Sequence, residues 1–134
     1  GVVVEGNILL KNKNRTRILE KGDFFSVIGP GVIKSDGLGM VSSAKGYVGF
    51  NLIGGPLEKE GRFRYIDGCT DTLLVPPVRK GEPGLNHLHF PTEIIQTAHT
   101  HPSVRTGIVY SGEGMCYFKI PYSFGGQLRV CNQD

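Results

Sequence analysis

The sequence predicts an all-β domain, a sandwich or barrel of many short strands. Three observations carry this. Apolar or alternating segments of roughly four to eight residues are punctuated by turn residues at spacings of about 8–12. Glycine (20) and proline (8) are abundant among 134 residues, which suits tight turns and not a helical bundle. No window of about ten residues shows a helical apolar period free of glycine or proline. The length predicts one domain, 1–134. A chain of this size buries about two-thirds of its unfolded surface, enough for a core without disulfide staples.

The elements follow in order. Val2-Val3-Val4 and Asn7–Leu10 are strand material broken by Glu5-Gly6. Arg15–Leu19 is a partner strand across a turn at Lys11–Asn14. Lys21-Gly22-Asp23 turns into an apolar strand, Phe24–Ile28, which Gly29-Pro30-Gly31 breaks. Val32-Ile33 is brief, and Ser35-Asp36-Gly37 turns again. Gly46–Ile53 alternates in part and is expected to be a strand, its glycines marking a bulge or a close backbone approach. After the charged turn Glu58–Gly61, Arg62–Ile66 alternates as a half-buried strand does. Asp67-Gly68 is a turn, and Thr72–Val75 is a strand ending at Pro76-Pro77. Strands are expected at Leu85–Phe90 and Gln96–His101, with Pro91–Ile95 between them. Gly107–Tyr110 is apolar, Ser111–Gly114 turns, and Met115–Ile120 and Gln127–Val130 supply the last strand material.

All four histidines of the chain lie within 87–101, as two His-x-His pairs. Side chains at i and i+2 of a strand share a face. His87 and His89 would therefore point together, and so would His99 and His101. If the two strands fold back on each other around Ile94, His87 faces His101 and His89 faces His99. In two facing sheets, both pairs still point into one interior. Neutral imidazole is a ligand for zinc, iron, copper and nickel. The preferred reading is a metal bound by at least three of the four. The alternative is a satisfied polar pair at a barrel mouth, with only the other pair functional.

Charge and cysteine usage narrow the function classes. A net charge of +3 does not suggest a nucleic-acid binder. The one basic cluster, Lys11, Lys13, Arg15, Arg17 and Lys21, is expected to form a solvated hairpin tip; a phosphate or anionic-ligand contact is the minority reading. Cys69, Cys116 and Cys131 form neither an even set nor a Cys-x-x-Cys pair, which favours reduced thiols and a cytoplasmic location. No signal peptide is visible, and no apolar run is long enough to span a membrane. No Gly-x-Ser-x-Gly elbow and no phosphate-cradling glycine loop is present.

His99-Thr100-His101, followed by Arg105 and by Gly112 within Ser-Gly-Glu-Gly, resembles the first motif of the cupin superfamily. That motif runs from a glycine through His-x-His and a glutamate to a closing glycine. Here Glu93 stands at the opening glycine and Arg105 at the glutamate ligand. Lys21-Gly22-Asp23-Phe24 to Gly29-Pro30-Gly31 is similar to the second cupin motif without its histidine, and Val2–Gly6 is similar to the end of a first motif. The resemblance implies a double-stranded β-helix, a jelly-roll barrel; the inverted motif order fits the joint of a two-cupin protein, a permuted single barrel, or a subunit completed by strands from a partner chain. It carries His99 and His101 over as ligands to a divalent metal, iron, zinc, manganese or nickel, with His87 and His89 as substitutes for the missing glutamate and third histidine. An all-histidine site is similar to those of cupin dioxygenases that hold iron by three histidines.

The functional expectation is a metal-dependent small-molecule enzyme, dioxygenase-like or isomerase-like. Leu88, Phe90, Ile108, Tyr110, Tyr117 and Phe118 are candidates to exclude water from its barrel. Arg105 is a candidate to hold an anionic substrate and Tyr110 a candidate hydrogen-bond donor; no catalytic residue is assigned. The alternative is a non-catalytic binding or sensing module with a structural metal or none. The expected partners are a small-molecule ligand and a second copy in a homodimer, with neither nucleic acid nor membrane.

Overall fold

A computed structural model describes residues 1–13, 15–118 and 126–131, with residues 118 and 126–131 described by their backbone alone. The chain divides into two compact units, Gly1–Pro102 and Ser103–Asp134. The described residues are all-β, and every strand pairing among them is antiparallel. None of them belongs to a helix long and apolar enough to cross a membrane.

The first unit opens with β1 (Val2–Glu5), β2 (Ile8–Asn12), β3 (Arg15–Leu19), β4 (Phe24–Ser26), β5 (Gly31–Ser35), β6 (Leu38–Met40) and β7 (Leu52–Gly54). It continues with β8 (Phe63–Arg64), a single 3-10 turn at Ile66–Gly68, β9 (Thr70–Val75) and β10 (Leu85–His89). They form three sheets, ordered β6-β1-β4-β7, β3-β2-β5 and β10-β9-β8. The expected hairpin across Lys11–Asn14 forms, with Asn12 paired to Arg15 and Lys13 at φ 46°; Asn14 lies outside the described residues. Lys11, Lys13, Arg15, Arg17 and Lys21 are all exposed, as a solvated tip requires.

The core sits between the first two sheets. Val3, Ile8, Leu10, Leu19 and Phe25 form one buried cluster, with Val27 packed against it. Successive strand residues point to opposite faces. Ile8 and Leu10 are buried while Leu9 and Lys11 face out, so β2 covers the core with one face. In β1 the consecutive residues Val2, Val3 and Val4 are all buried, so this strand is covered on both faces.

Several elements differ from expectation. Of the 46–53 stretch only Leu52 and Ile53 lie in a strand, β7, because Gly46 takes φ 70° inside a turn in which the Tyr47 N–H donates to the Ala44 carbonyl. β6 was not legible, since Leu38-Gly39-Met40 carries no alternation. Its pairing depends on absent side-chain bulk: a Cβ on Gly39 would lie 2.6 Å from the Val2 carbonyl oxygen. β5 is longer than Val32-Ile33, and β9 starts at Thr70, two residues before the expected strand. Neither 96–101 nor 107–110 is a strand.

Among the described residues the second unit contains one antiparallel strand pair, β11 (Glu113–Phe118) against β12 (Gly126–Cys131), with Glu113 opposite Cys131 and Phe118 opposite Gly126. Residues 119 and 120 of the expected Met115–Ile120 strand lie outside the described residues.

Candidate metal centre

The two histidine pairs have different structural origins. β10 presents His87 and His89 on one face, opposite Thr72 and Thr70 of β9. The alternate residue Asn86 lies on the other face, where its amide donates to both carboxylate oxygens of Asp71, at 3.1 Å each. Both imidazoles are half-buried. His87 is held below the usual histidine range, first by burial and then by the charge of His89, with Asp71 and Glu58 pulling the other way. Nδ1 of His89 is buried without a hydrogen-bond partner.

The second pair is organised by a loop, not by strand pairing. The chain reverses at 91–94, where the Ile94 N–H donates to the Pro91 carbonyl and Glu93 adopts φ 61°. Residues 96–101 then dock on the tight turn between β8 and β9. That turn is closed by Tyr65 N–H to the Cys69 carbonyl (2.8 Å) and by Cys69 N–H to the Ile66 carbonyl (3.1 Å), with Asp67 at φ 55°. Asp67 accepts the backbone N–H of Thr97, and Gln96 donates to the buried Cys69 thiol at 3.6 Å. These contacts with Thr97, backbone first and hydroxyl second, hold the Asp67 carboxyl below its ordinary range; His99 adds a smaller pull. Burial, followed by the Asp67 charge, pushes the Cys69 thiol up.

His99 and His101 meet within this loop. Their Nε2 atoms are 3.2 Å apart, and the rings stand edge to face at 86° with centroids 4.8 Å apart. The Tyr65 ring lies edge-on to His99 at 6.4 Å. Nδ1 of His99 is 2.7 Å from the Thr97 carbonyl oxygen. A carbonyl only accepts, so Nδ1 carries the proton and Nε2 of the neutral ring keeps its lone pair. A backbone carbonyl that fixes the tautomer in this way is the usual support for a metal-ligating histidine. Two nitrogens bound tetrahedrally to zinc at about 2.0–2.1 Å are roughly 3.3 Å apart. The observed 3.2 Å is the length of an N–H···N hydrogen bond between the two imidazoles, and it is also close to that ligand spacing.

The expected register, His87 facing His101 and His89 facing His99, does not form. β10 pairs with β9 instead, and 97–101 is held by Asp67. Among the described residues no three His, Cys, Asp or Glu side chains are grouped as metal ligands. Arg105 is exposed and Tyr110 half-buried; both lie in the second unit, outside regular structure. Leu88 is 41 % exposed, Phe90 50 % and Tyr117 70 %, and the Phe118 side chain lies outside the described residues. Cys116 is exposed and Cys69 is buried.

Sequence reading missed Asp67 and Tyr65. Asp67-Gly68 was legible as a turn, but nothing local signals that its carboxylate fastens a segment thirty residues downstream. Comparison with protein-family models, curated proteins and solved structures gives no match.

Proposed function

We propose that this protein binds a divalent metal ion through Nε2 of His99 and Nε2 of His101 and presents the open coordination positions to a small-molecule ligand. The observation that carries the reading is the 3.2 Å approach of the two nitrogens, with the His99 lone pair directed by the Thr97 carbonyl. Two imidazole donors suit zinc, iron, manganese or nickel. A bound metal with open positions supplies Lewis acidity or oxygen activation. The chain's own residues orient the donors: Asp67 sets Thr97, and Thr97 sets His99. His87 and His89 are a second donor pair on β10, an edge strand of its sheet, and a homodimer formed at a free edge is a route by which further ligands reach a metal.

A cupin-like barrel is the fold within this reading. Its support is the all-β, antiparallel build and the backbone at Glu93, which replaces the motif's glycine yet keeps a left-handed φ that glycine adopts without cost. The enzymatic version is a metal-dependent small-molecule reaction. The exposure of both His99 and His101 favours the second version, a non-catalytic binding or sensing module, since chemistry at a metal profits from a dry site.

The test is elemental analysis of protein purified without a histidine tag, beside a His99→Ala/His101→Ala variant. The expected result is about one metal ion per chain, lost in the variant. A parent protein that holds no metal after reconstitution overturns the proposal.

A further inference from the structure

A cleft lined by no histidine is built from two matching turns. Ala44-Lys45-Gly46-Tyr47 is closed by Tyr47 N–H to the Ala44 carbonyl at 3.2 Å, and Arg79-Lys80-Gly81-Glu82 by Glu82 N–H to the Arg79 carbonyl at 3.2 Å. Each has lysine second and glycine third, with Gly46 at φ 70° and Gly81 at φ 87°. This is the type II arrangement, in which the third residue needs positive φ. The two turns border an open cleft of about 330 Å³, at the lower end of the roughly 300–1,000 Å³ typical of small-molecule sites.

The turns are clamped together by Glu82, whose side chain is only 8 % exposed. Its carboxylate accepts the Val48 N–H (3.0 Å), the Arg79 backbone N–H (3.2 Å) and the Arg79 Nε–H (3.0 Å). Arg79 Nη2 donates across to the Gly46 carbonyl at 3.1 Å. Tyr47, whose ring borders the cleft, is tied to the buried Ser26 hydroxyl at 2.8 Å. The charges of Glu82 and Arg79 are thus used in holding the turns. Lys45 and Lys80, both exposed, have neither ion-pair nor hydrogen-bond partner among the described residues.

We propose that this cleft binds a small phosphate-bearing dianion, with Lys45 and Lys80 as its charged contacts. Lys45 and Lys80 both line the cleft, one from each turn, so a dianion seated there would meet positive charge from both sides. Lysine at the second position of a tight turn carries a flexible point charge suited to phosphate oxygens. The Glu82–Arg79 clamp fixes the turns that carry both lysines, so part of the ordering cost of binding is already met. The proposal is independent of the metal reading.

The test is calorimetric titration of the full chain at low salt with pyrophosphate and inorganic phosphate, and with succinate as a dicarboxylate of similar charge. Saturable phosphate or pyrophosphate binding is expected, weakened about tenfold or more in Lys45→Ala/Lys80→Ala and retained in His99→Ala/His101→Ala. Circular dichroism of the lysine variant is expected to match the parent, because neither side chain makes a contact that the fold uses. No saturation by about 10 mM, or equal binding by the lysine variant, overturns the site. Equal or tighter binding of succinate overturns the phosphate assignment.

Discussion

Asp67 accepts the backbone N–H of Thr97 across thirty residues of sequence, and the carbonyl of the same Thr97 lies 2.7 Å from His99 Nδ1. One carboxylate therefore positions the peptide that selects the tautomer of a candidate ligand.

Removing that carboxylate is expected to loosen the ligand pair without touching it. Asp67→Ala should lower zinc affinity by about ten- to a hundred-fold, the range seen when outer-shell partners of ligating histidines are lost. Asp67→Asn keeps an acceptor and should fall between parent and alanine variant. Zinc titration by calorimetry checks both. Unchanged affinity in Asp67→Ala would separate the turn from the metal site.

Acidity should act on the clamp at Glu82. The Val48 N–H first, and then the Arg79 side chain and backbone, hold this carboxyl below the ordinary carboxylate range. A carboxyl depressed in the folded state binds fewer protons there than in the unfolded chain, so its stabilisation is complete above the unfolded value and fades as pH falls through the folded one. Glu82→Gln is expected to melt below the parent at neutral pH, with the gap closing below about pH 4.5. Thermal melts of both proteins across that range test the sign. A gap that widens on acidification contradicts it.

Two adjacent residues of β3 should differ sharply. Leu19 is 2 % exposed and belongs to the core cluster, whereas Ile18 is 68 % exposed on the outer face. Leu19→Ala is expected to cost about 2–5 kcal/mol through lost burial and a residual cavity. Ile18→Ala should cost less than about 1 kcal/mol, chiefly in strand preference. Denaturant unfolding of the two variants measures the contrast.

At Glu93 the left-handed backbone sets the expected order. A non-glycine residue there carries roughly 1–2 kcal/mol of strain, which exceeds the extra unfolded-state entropy of glycine, roughly 0.5–1 kcal/mol. Glu93→Gly should therefore leave the melting temperature equal or raised. Glu93→Val should lower it, because a β-branched residue tolerates this conformation least. A valine variant as stable as the glycine variant would show that the turn at 91–94 relaxes to another conformation.

The legible part of this protein was the part written in local pattern. The hairpin at Lys11–Asn14 could be read because a polar tip separates two apolar runs, and β10 because Leu85–Phe90 is short, apolar-leaning and bounded by turn residues. The all-β class followed from the same punctuation. What escaped were relationships set by distant partners. Residues 96–101 carry strand-like composition, yet Asp67 and Cys69 capture Thr97 and Gln96 before any strand can. Gly46–Phe50 likewise has apolar residues, but one positive φ at Gly46 commits it to a turn. The pairing of His99 with His101 was anticipated from i, i+2 spacing. Its physical basis proved to be a docked loop.

The three consecutive buried valines of β1 set a hierarchy of opening events. Val2, Val3 and Val4 are all buried, and Val3, whose N–H donates to the Asp23 carbonyl, belongs to the core cluster, so releasing these amides requires separation of the layers that pack there. Their exchange with solvent should report the global unfolding free energy. The 97–101 segment is exposed and held at Thr97 by Asp67, so it can open while the valines remain protected. A ligand that bridges His99 and His101 would slow exchange in that segment alone and leave the β1 amides as they were, giving this protein a built-in internal reference for occupancy of the loop.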